Sequence, residues 1–257
     1  MNQRERREYL IQYLMKESAS YKGVQIPNDE NSQKQLLRGL MNLRMPGIIS
    51  DDFLRIQDEY LKEIIAARGI VGMKELRPVS EGIYVWQGDI TRLAVDAIVN
   101  AANSGMTGCY QPNHTCIDNC IHTFSGVQLR MKCAEIMNAQ GYEEPTGQAK
   151  ITHAYNLPCK YVLHTVGPII YDEVRKEDEE LLASCYDSCL ALAEENECKS
   201  VAFCCISTGV FRFPNQRAAE IAVDTIRKYK KENNSQIEVI FNVWKDIDKR
   251  IYEELLR

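Results

Sequence analysis

The fold of this chain is decided by the run Val95-Asp-Ala-Ile-Val99, continued as Asn100-Ala-Ala-Asn103-Ser-Gly-Met-Thr-Gly-Cys109-Tyr-Gln-Pro-Asn-His114-Thr-Cys116-Ile-Asp118. Its first five residues are mostly apolar and β-branched, which predicts a short strand. After the run, apolar residues at roughly helical spacing predict a helix, namely Ile117, Ile121, Phe124 and Leu129. The polar residues between strand and helix therefore form a loop beyond the carboxyl end of a sheet, where open α/β sheets bind ligands.

This loop carries side chains of the metal-binding type. Cys109, His114 and Cys116 form a C-x4-H-x-C pattern of two sulfur ligands and one nitrogen, a set that suits zinc. Three protein ligands with an open position are typical of a catalytic zinc, whereas a structural zinc normally takes four. The alternative is that these cysteines are small buried hydrophobes, because the chain has 10 cysteines and the loop lacks a paired CxxC motif.

Composition limits the classes of function. The 257 residues are 45% hydrophobic, enough for one full core with an appendage. The formal charge is −5, from 31 Lys and Arg against 36 Asp and Glu, and no basic tract is present. Such a chain is a poor candidate for nucleic-acid binding.

The sequence also predicts a compartment. The first ten residues are charged and lack the apolar region of a secretory signal. No apolar run approaches the ~20 residues of a membrane span, so no membrane partner is expected. The cysteines follow no disulfide-framework spacing, which favours free thiols in a reducing cytoplasm.

Residues 1–75 are predicted to form a helical extension. Three amphipathic stripes occur here, centred on Tyr9–Leu14, Leu36–Leu43 and Phe53–Ile65. Pro27 and Pro46 lie in the polar breaks between the stripes. Helices with one apolar face must pack on something, so the extension is either a cap on the main domain or a lid or partner-docking surface.

Residues 76–257 are predicted to form an α/β domain. Short apolar segments alternate with longer helical ones, which predicts a mostly parallel sheet with helices on both faces. The predicted strands are 83–86, 95–99, 150–153, 161–166, 201–206 and 237–243, and the predicted helices are 117–139, 181–195, 216–230 and 246–256.

Two further loops follow predicted strands of this sheet. Gly88-Asp89-Ile90-Thr91 offers a carboxylate that can accept a hydrogen bond from an amine or a hydroxyl, although Gly-Asp is also common in plain turns. Ser207-Thr208-Gly209-Val210-Phe211 offers hydroxyls and backbone N–H groups suited to a phosphate or diphosphate. Phe211 is either a shield for a sugar face or a core aromatic.

Together these motifs resemble the macrodomain family and its MacroD-like hydrolase branch. The resemblance covers about 180 residues, from near Ile83 to the C-terminus, and runs in order through Gln87–Thr91, Asp96–Asn103, Ile117–His122, Thr146–Thr152, Tyr161–Pro168 and Ile206–Phe211. It implies a three-layer α/β/α sandwich with a mixed, mostly parallel sheet, which binds ADP-ribose at the carboxyl ends of its strands.

Two departures refine the resemblance. MacroD-like enzymes usually have a short glycine-rich segment before the helix, whereas here the loop from Gly108 to Asp118 is longer and contains the metal-type side chains. This resembles the zinc-dependent macrodomains, which carry an N-terminal helical extension and in some cases are encoded beside a sirtuin-type ADP-ribosyltransferase. Arg212 stands where a glycine is common, which changes the expected shape of the phosphate loop.

The resemblance implies a role for each residue of the site. Asp89 would bind the adenine amine with help from the Ile90 backbone, and Asn103 would bind the distal ribose. Asp118 would lie near the anomeric carbon as a catalytic residue with Asn103. The zinc ligands would be Cys109, His114 and Cys116, and the diphosphate and distal ribose would be held by Ser207, Thr208, Gly209, Val210 and Phe211.

The implied activity is zinc-dependent removal of mono-ADP-ribose from modified proteins, through Asp or Glu ester linkages. Two alternatives use the same cleft, a non-catalytic reader of ADP-ribose and an esterase acting on free O-acyl-ADP-ribose. Asn103, Asp118 and the metal-type residues favour an enzyme, because a reader has little need for an open metal position.

Overall fold

The structure is a computed structural model that describes all 257 residues. Its helices are α1 (Gln3–Lys16), α2 (Glu30–Leu43), α3 (Asp51–Ala67), α4 (Ile117–Ser125), α5 (Val127–Gln140), α6 (Lys176–Glu195), α7 (Asn215–Glu232) and α8 (Asp246–Leu255). Its strands are β1 (Val71–Gly72), β2 (Pro78–Ser80), β3 (Ile83–Gln87), β4 (Leu93–Ala94), β5 (Ala97–Ala101), β6 (Ala149–His153), β7 (Tyr161–Thr165), β8 (Ser200–Phe203) and β9 (Glu238–Val243).

The central sheet has seven strands in the order β2-β3-β9-β8-β5-β7-β6. Strands β3, β9, β8, β5 and β7 run parallel, whereas the edge strands β2 and β6 are antiparallel to their neighbours. Helix α4 packs on α5, and α6, α7 and α8 pack in succession. The predicted three-layer α/β/α sandwich with a mixed, mostly parallel sheet is confirmed.

The inner strands are buried on both faces, as parallel strands covered by helices must be. All four residues of β8 are buried, and Phe203 lies 5.0 Å from Tyr186 of α6 between ring centroids. On the same face of the sheet, the ring of Phe241, the register partner of Phe203 on β9, stacks on Tyr252 of α8 at 4.6 Å. Helices therefore cover the faces of the sheet, and loops lie at the carboxyl ends of its strands.

The prediction of one helix over 117–139 is wrong. The helix breaks at Gly126, whose φ of 99° lies in the left-handed region that favours glycine. A Cβ there would come within 2.6 Å of the Gln57 side chain, and Gln57 in turn accepts a hydrogen bond from the Val127 N–H at 3.0 Å. The helix therefore breaks where the Gln57 side chain of α3 packs beside Gly126. Apolar periodicity in the sequence cannot reveal a contact of this kind.

The three N-terminal helices have a core of their own. Twelve buried residues form it, among them Leu10, Leu37, Phe53 and Val127 of α5, apart from the 45-residue core of the sheet. Each helix begins at a side-chain cap, namely Asn2, Asp29 or Ser50. The inclusion of Val127 joins this extension to the first helix pair of the sandwich.

No helix of the chain combines the length and the apolar character needed to cross a membrane.

Candidate active site and metal centre

Three loops carry the predicted site residues at the carboxyl edge of the sheet. Asp89 follows β3, the run from Ala102 to Cys116 follows β5, and Ser207 follows β8. In the sheet order, β9 and β8 lie between β3 and β5. At about 4.8 Å per strand, this separates the Asp89 end from the β5 end by about 14 Å, a span suited to an extended ligand.

The loop after β5 brings the metal-type side chains together. The donor atoms of Cys109, His114 and Cys116 lie within 4.8 Å of one another, and all three residues are half-buried. Cys109 Sγ is 3.6 Å from His114 Nδ1. The loop reaches this conformation through Gly108, whose φ is 85° and where a Cβ would come within 2.8 Å of the His122 ring.

This donor set fits a zinc ion. Burial is the main cause that raises the pKa of the Cys116 thiol to about 12, and the nearby Cys109 and Asp118 raise it further. Two sulfur atoms this close together become thiolates readily only beside a positive charge, and a bound zinc ion would supply that charge. Two thiolates and one imidazole are the ligands of a zinc with one open position.

Asp118 lies beside this group, in the first turn of α4. Cys116 is the N-cap of that helix, and its Sγ accepts a hydrogen bond from the Asn119 N–H at 3.4 Å. Asp118 is 5% exposed. Burial raises the pKa of its carboxyl to about 6, against the opposing effects of Asn100, Arg130 and Asn103.

Two amides hold the Asp118 carboxylate. Asn100 Nδ2 donates to Asp118 Oδ1 at 2.8 Å, and Asn103 Nδ2 donates to Oδ2 at 3.3 Å. Asn103 is itself fixed where the loop turns, because its Oδ1 accepts from the Gly105 N–H and its Nδ2 also donates to the Gly108 carbonyl. The structure therefore brings the two predicted catalytic residues into direct contact.

Asn100 is supported by a buried histidine. Its Nδ2 lies 3.1 Å from His164 Nδ1, and His164 Nε2 lies 2.9 Å from Thr152 Oγ1. Burial lowers the pKa of His164 to about 3, so the ring is neutral. With the Asn100 amide as donor, Nδ1 accepts and Nε2 carries the proton toward Thr152. His164 thus orients Asn100, a site residue that the sequence prediction did not include.

A second group of metal-type side chains lies behind the first. His122, Cys133 and His164 are buried with donor atoms within 4.8 Å of one another. Both His164 nitrogens already have partners, and His122 Nε2 is 3.5 Å from Asp118 Oδ1. Burial is the main cause that lowers the pKa of His122 well below its usual value. The neutral His122 ring therefore lies against the Asp118 carboxylate, and the His164 ring lies 6.1 Å from the His122 ring between centroids.

Asp89 begins a short 3₁₀ turn after β3. Its Oδ1 accepts hydrogen bonds from the Thr91 N–H at 3.0 Å and the Thr91 hydroxyl at 2.6 Å. Its Oδ2 accepts one from Arg68 at the end of α3. The Ile90 backbone N–H donates to no protein acceptor. This end therefore offers an acceptor and a free donor side by side, as adenine recognition requires.

The loop after β8 presents unpaired backbone donors. The N–H groups of Gly209, Val210 and Phe211 donate to no protein acceptor. Ser207 is buried with φ of 63°, and its side chain lies where a Cβ on Gly167 would stand. Consecutive free N–H groups at the edge of a sheet are suited to a diphosphate.

Phe211 is half-buried, whereas the core aromatic of this loop is Phe213 at 1% exposure. The Phe211 carbonyl accepts a hydrogen bond from the Ile170 N–H at 2.8 Å, which ties the loop to the segment after β7. Arg212, with φ of 59°, adopts the left-handed conformation that a glycine would adopt freely.

Comparisons with known proteins agree with the fold. The Macro domain family matches residues 99–222. A protein-ADP-ribose hydrolase of Treponema medium is 62% identical over 260 residues, 100% of both chains. One of Staphylococcus aureus strain MSSA476 is 50% identical over 251 residues, 97% of this chain and 94% of the relative. The solved Trypanosoma brucei macrodomain in complex with ADP-ribose is 29% identical, with a TM-score of 0.66, and the match covers 85% of this chain and 95% of that chain.

Proposed function

The chain belongs to the macrodomain family, among its protein-ADP-ribose hydrolases, and we propose that it uses zinc to remove mono-ADP-ribose from Asp or Glu side chains of modified proteins. The observation that carries this proposal is the group Cys109, His114 and Cys116 beside the buried carboxylate of Asp118. A reader of ADP-ribose needs neither feature. The resemblance to zinc-dependent macrodomains further suggests a sirtuin-type ADP-ribosyltransferase as the enzyme that attaches the group.

Substrate binding is assigned to two ends of the cleft. At one end, Asp89 accepts a hydrogen bond from the adenine amine, while the free Ile90 N–H donates to the ring. Further along the edge, the N–H groups of Gly209, Val210 and Phe211 donate to the diphosphate. The remaining positions of that loop, Ser207 and Thr208, hold the diphosphate and distal ribose with it.

The reacting end is formed by Asn103 and Asp118. When bound at Cys109, His114 and Cys116, zinc supplies Lewis acidity and one open coordination position. Asn103 binds the distal ribose and holds Asp118 Oδ2. The distal ribose therefore lies beside Asp118, the carboxylate that Asn100 and Asn103 orient.

Asp118 acts on the attacking water. Its carboxylate accepts a proton from the water as the water oxygen bonds to the anomeric carbon. The bond between that carbon and the ester oxygen of the substrate breaks, and the Asp or Glu carboxylate leaves with the bonding electrons. The products are ADP-ribose and an unmodified side chain, and the proton passes from Asp118 to solvent.

Metal removal tests this proposal. Release of ADP-ribose from glutamate-linked and serine-linked substrates is measured with the zinc-loaded and the chelated protein, beside calorimetric binding of ADP-ribose. We expect chelation to depress hydrolysis of the glutamate-linked substrate strongly and to leave affinity largely unchanged, because the adenine and diphosphate contacts survive. Unchanged hydrolysis after chelation would contradict the zinc mechanism, and preference for the serine linkage would contradict the ester assignment.

A further inference from the structure

The metal loop has few internal supports of its own. Between Cys109 and Cys116, its backbone makes one hydrogen bond within the loop, from the His114 N–H to the Gln111 carbonyl at 3.3 Å. Asn113, next to the ligand His114, has a left-handed φ of 57°. A loop of this kind keeps one conformation only if neighbouring elements fix it, and here the neighbour is α2 of the N-terminal extension.

Asn42 in the last turn of α2 contacts the loop directly. It is 1% exposed, and its Oδ1 accepts a hydrogen bond from the Asn113 N–H at 3.0 Å. Its Nδ2 donates to Thr123 Oγ1 on α4 at 2.9 Å. Both ends of one buried amide therefore join the apex of the metal loop to the helix that carries Asp118.

Arg38, one turn earlier on α2, holds the ligand His114 through its backbone. Its Nη2 donates to the His114 carbonyl at 2.7 Å and to Asn119 Oδ1 at 3.0 Å. The Asn119 amide donates in turn to the Gln111 carbonyl at 3.0 Å. Gly39 lies on α2 between Arg38 and Asn42, and a Cβ on it would come within 3.4 Å of the Asn113 side chain. The surface of α2 is therefore in close contact with the loop.

The sandwich fixes α2 in return. Arg130 of α5 donates through Nη1 to the carbonyls of Met41, Asn42 and Arg44, at 3.2, 2.6 and 2.8 Å. These bonds satisfy carbonyls at the C-terminal end of α2, which would otherwise lack partners. The Arg130 guanidinium also lies over the Tyr110 ring of the metal loop, 4.3 Å from its centroid. The turn that carries Asn42 is therefore held against the loop from both sides.

We propose that the N-terminal extension is a structural part of the metal centre, with Asn42 and Arg38 as positioning residues that hold the loop ready to bind zinc. The inference rests on the proposed function, because it assumes zinc at Cys109, His114 and Cys116. Without these contacts, the loop must be ordered when the metal binds, and that ordering weakens affinity. Partners that orient metal ligands typically contribute roughly ten- to a hundred-fold in metal affinity.

The test is zinc affinity of the full chain, measured by competition with a chromophoric chelator. We expect Asn42→Ala to weaken zinc binding by roughly ten- to a hundred-fold and to speed zinc release. Asn42→Asp keeps an acceptor for the Asn113 N–H but loses the donor to Thr123, so its zinc affinity should lie between those of Asn42→Ala and the parent. The control Arg6→Gln removes ion pairs to Glu59 and Glu63 within the extension, away from the loop, and should leave zinc affinity unchanged.

The outcomes separate this inference from the proposed function. A parent protein that binds no zinc would overturn the zinc site itself. A parent that binds zinc no more tightly than Asn42→Ala would overturn only the positioning role, as would equal weakening by Arg6→Gln. If Asn42→Ala does not fold, Arg38→Gln decides the question, since it removes the hydrogen bonds to the His114 carbonyl and Asn119 while leaving the buried amide in place.

Discussion

Arg68 forms an ion pair with Asp89, so the last turn of the N-terminal extension contacts the residue assigned to adenine. The Arg68 guanidinium also donates to Thr91 Oγ1 at 3.3 Å and lies 4.0 Å above the centroid of the Phe124 ring. With Thr91 donating to Oδ1 and Arg68 to Oδ2, the Asp89 carboxylate has a fixed orientation. Each carboxylate oxygen has two lone pairs, so a further acceptor position remains for an amine.

Asp89→Ala should weaken ADP-ribose binding and leave zinc content unchanged. Loss of a hydrogen bond to a charged group costs ~1.5 to 3 kcal/mol, or roughly ten- to a hundred-fold in affinity. Zinc should be retained because the proposed ligands follow β5, three strand positions away from β3. Calorimetry and metal analysis on the same preparation check both parts, and an equal Kd for parent and variant would rule out this placement of adenine.

Arg68→Ala should weaken ADP-ribose binding only while Asp89 is present. In the parent, loss of Arg68 leaves the carboxylate held only through Oδ1 by Thr91. Fixing it fully on binding then costs up to about 0.5 to 1.5 kcal/mol, or roughly two- to tenfold in affinity. In the Asp89→Ala background there is no carboxylate to orient, so the second substitution should change little. The coupling is measured as a double-mutant cycle. Additive losses would mean that Arg68 contacts the ligand independently of Asp89.

Much of the fold follows from local sequence. The strands β5, β7, β8 and β9 are short apolar runs separated by longer amphipathic helices, and that alternation alone predicts a parallel sheet with two helical layers. The break at Gly126 was missed because it depends on Gln57, a side chain 69 positions earlier that occupies the space beside it. Periodicity records which face of a helix is apolar, and it carries no information about what packs there.

In the site, as in the fold, local sequence predicts residues that are close along the chain but does not predict contacts between distant residues. Cys109, His114 and Cys116 were predicted to act together because they lie close in sequence, and their donor atoms are close in the structure. Asn100 was missed as a site residue because an amide at the end of an apolar strand has no local signature of its partners. Its contact with Asp118 forms when α4 packs on β5, and its contact with His164, 64 positions later, forms when β5 and β7 pair.

Cys116→Ala should lower the zinc content of the purified protein well below one ion per chain. The substitution removes one of three donor atoms that lie within 4.8 Å of one another. It also removes the acceptor for the Asn119 N–H at the start of α4, which typically costs about 1 kcal/mol of stability. Cys198→Ala is the control, because that buried thiol belongs to neither group of metal-type side chains. Equal zinc in Cys116→Ala and the parent would exclude Cys116 as a ligand.

Asp118→Asn should depress hydrolysis far more than binding. The substitution keeps the size of the side chain but replaces the carboxylate that Asn100 and Asn103 hold with an amide, which is a poor proton acceptor. General-base catalysis contributes typically ~10²- to 10⁴-fold, so turnover of the glutamate-linked substrate should fall by about that factor. The affinity for ADP-ribose should change little, since Asp89 and the loop after β8 are intact.

Two comparisons make the Asp118 result interpretable. Asp246→Asn removes an exposed carboxylate that bonds Gln87, and it should hydrolyse at the parent rate. Zinc content must be measured for Asp118→Asn, because the residue lies two positions from Cys116 and a loss of metal would mimic a loss of the base. A zinc-loaded Asp118→Asn protein that hydrolyses at the parent rate would remove Asp118 from the chemical step. A zinc-loaded variant that binds ADP-ribose and hydrolyses slowly would assign it the proton transfer, because the metal and the binding contacts would both be present.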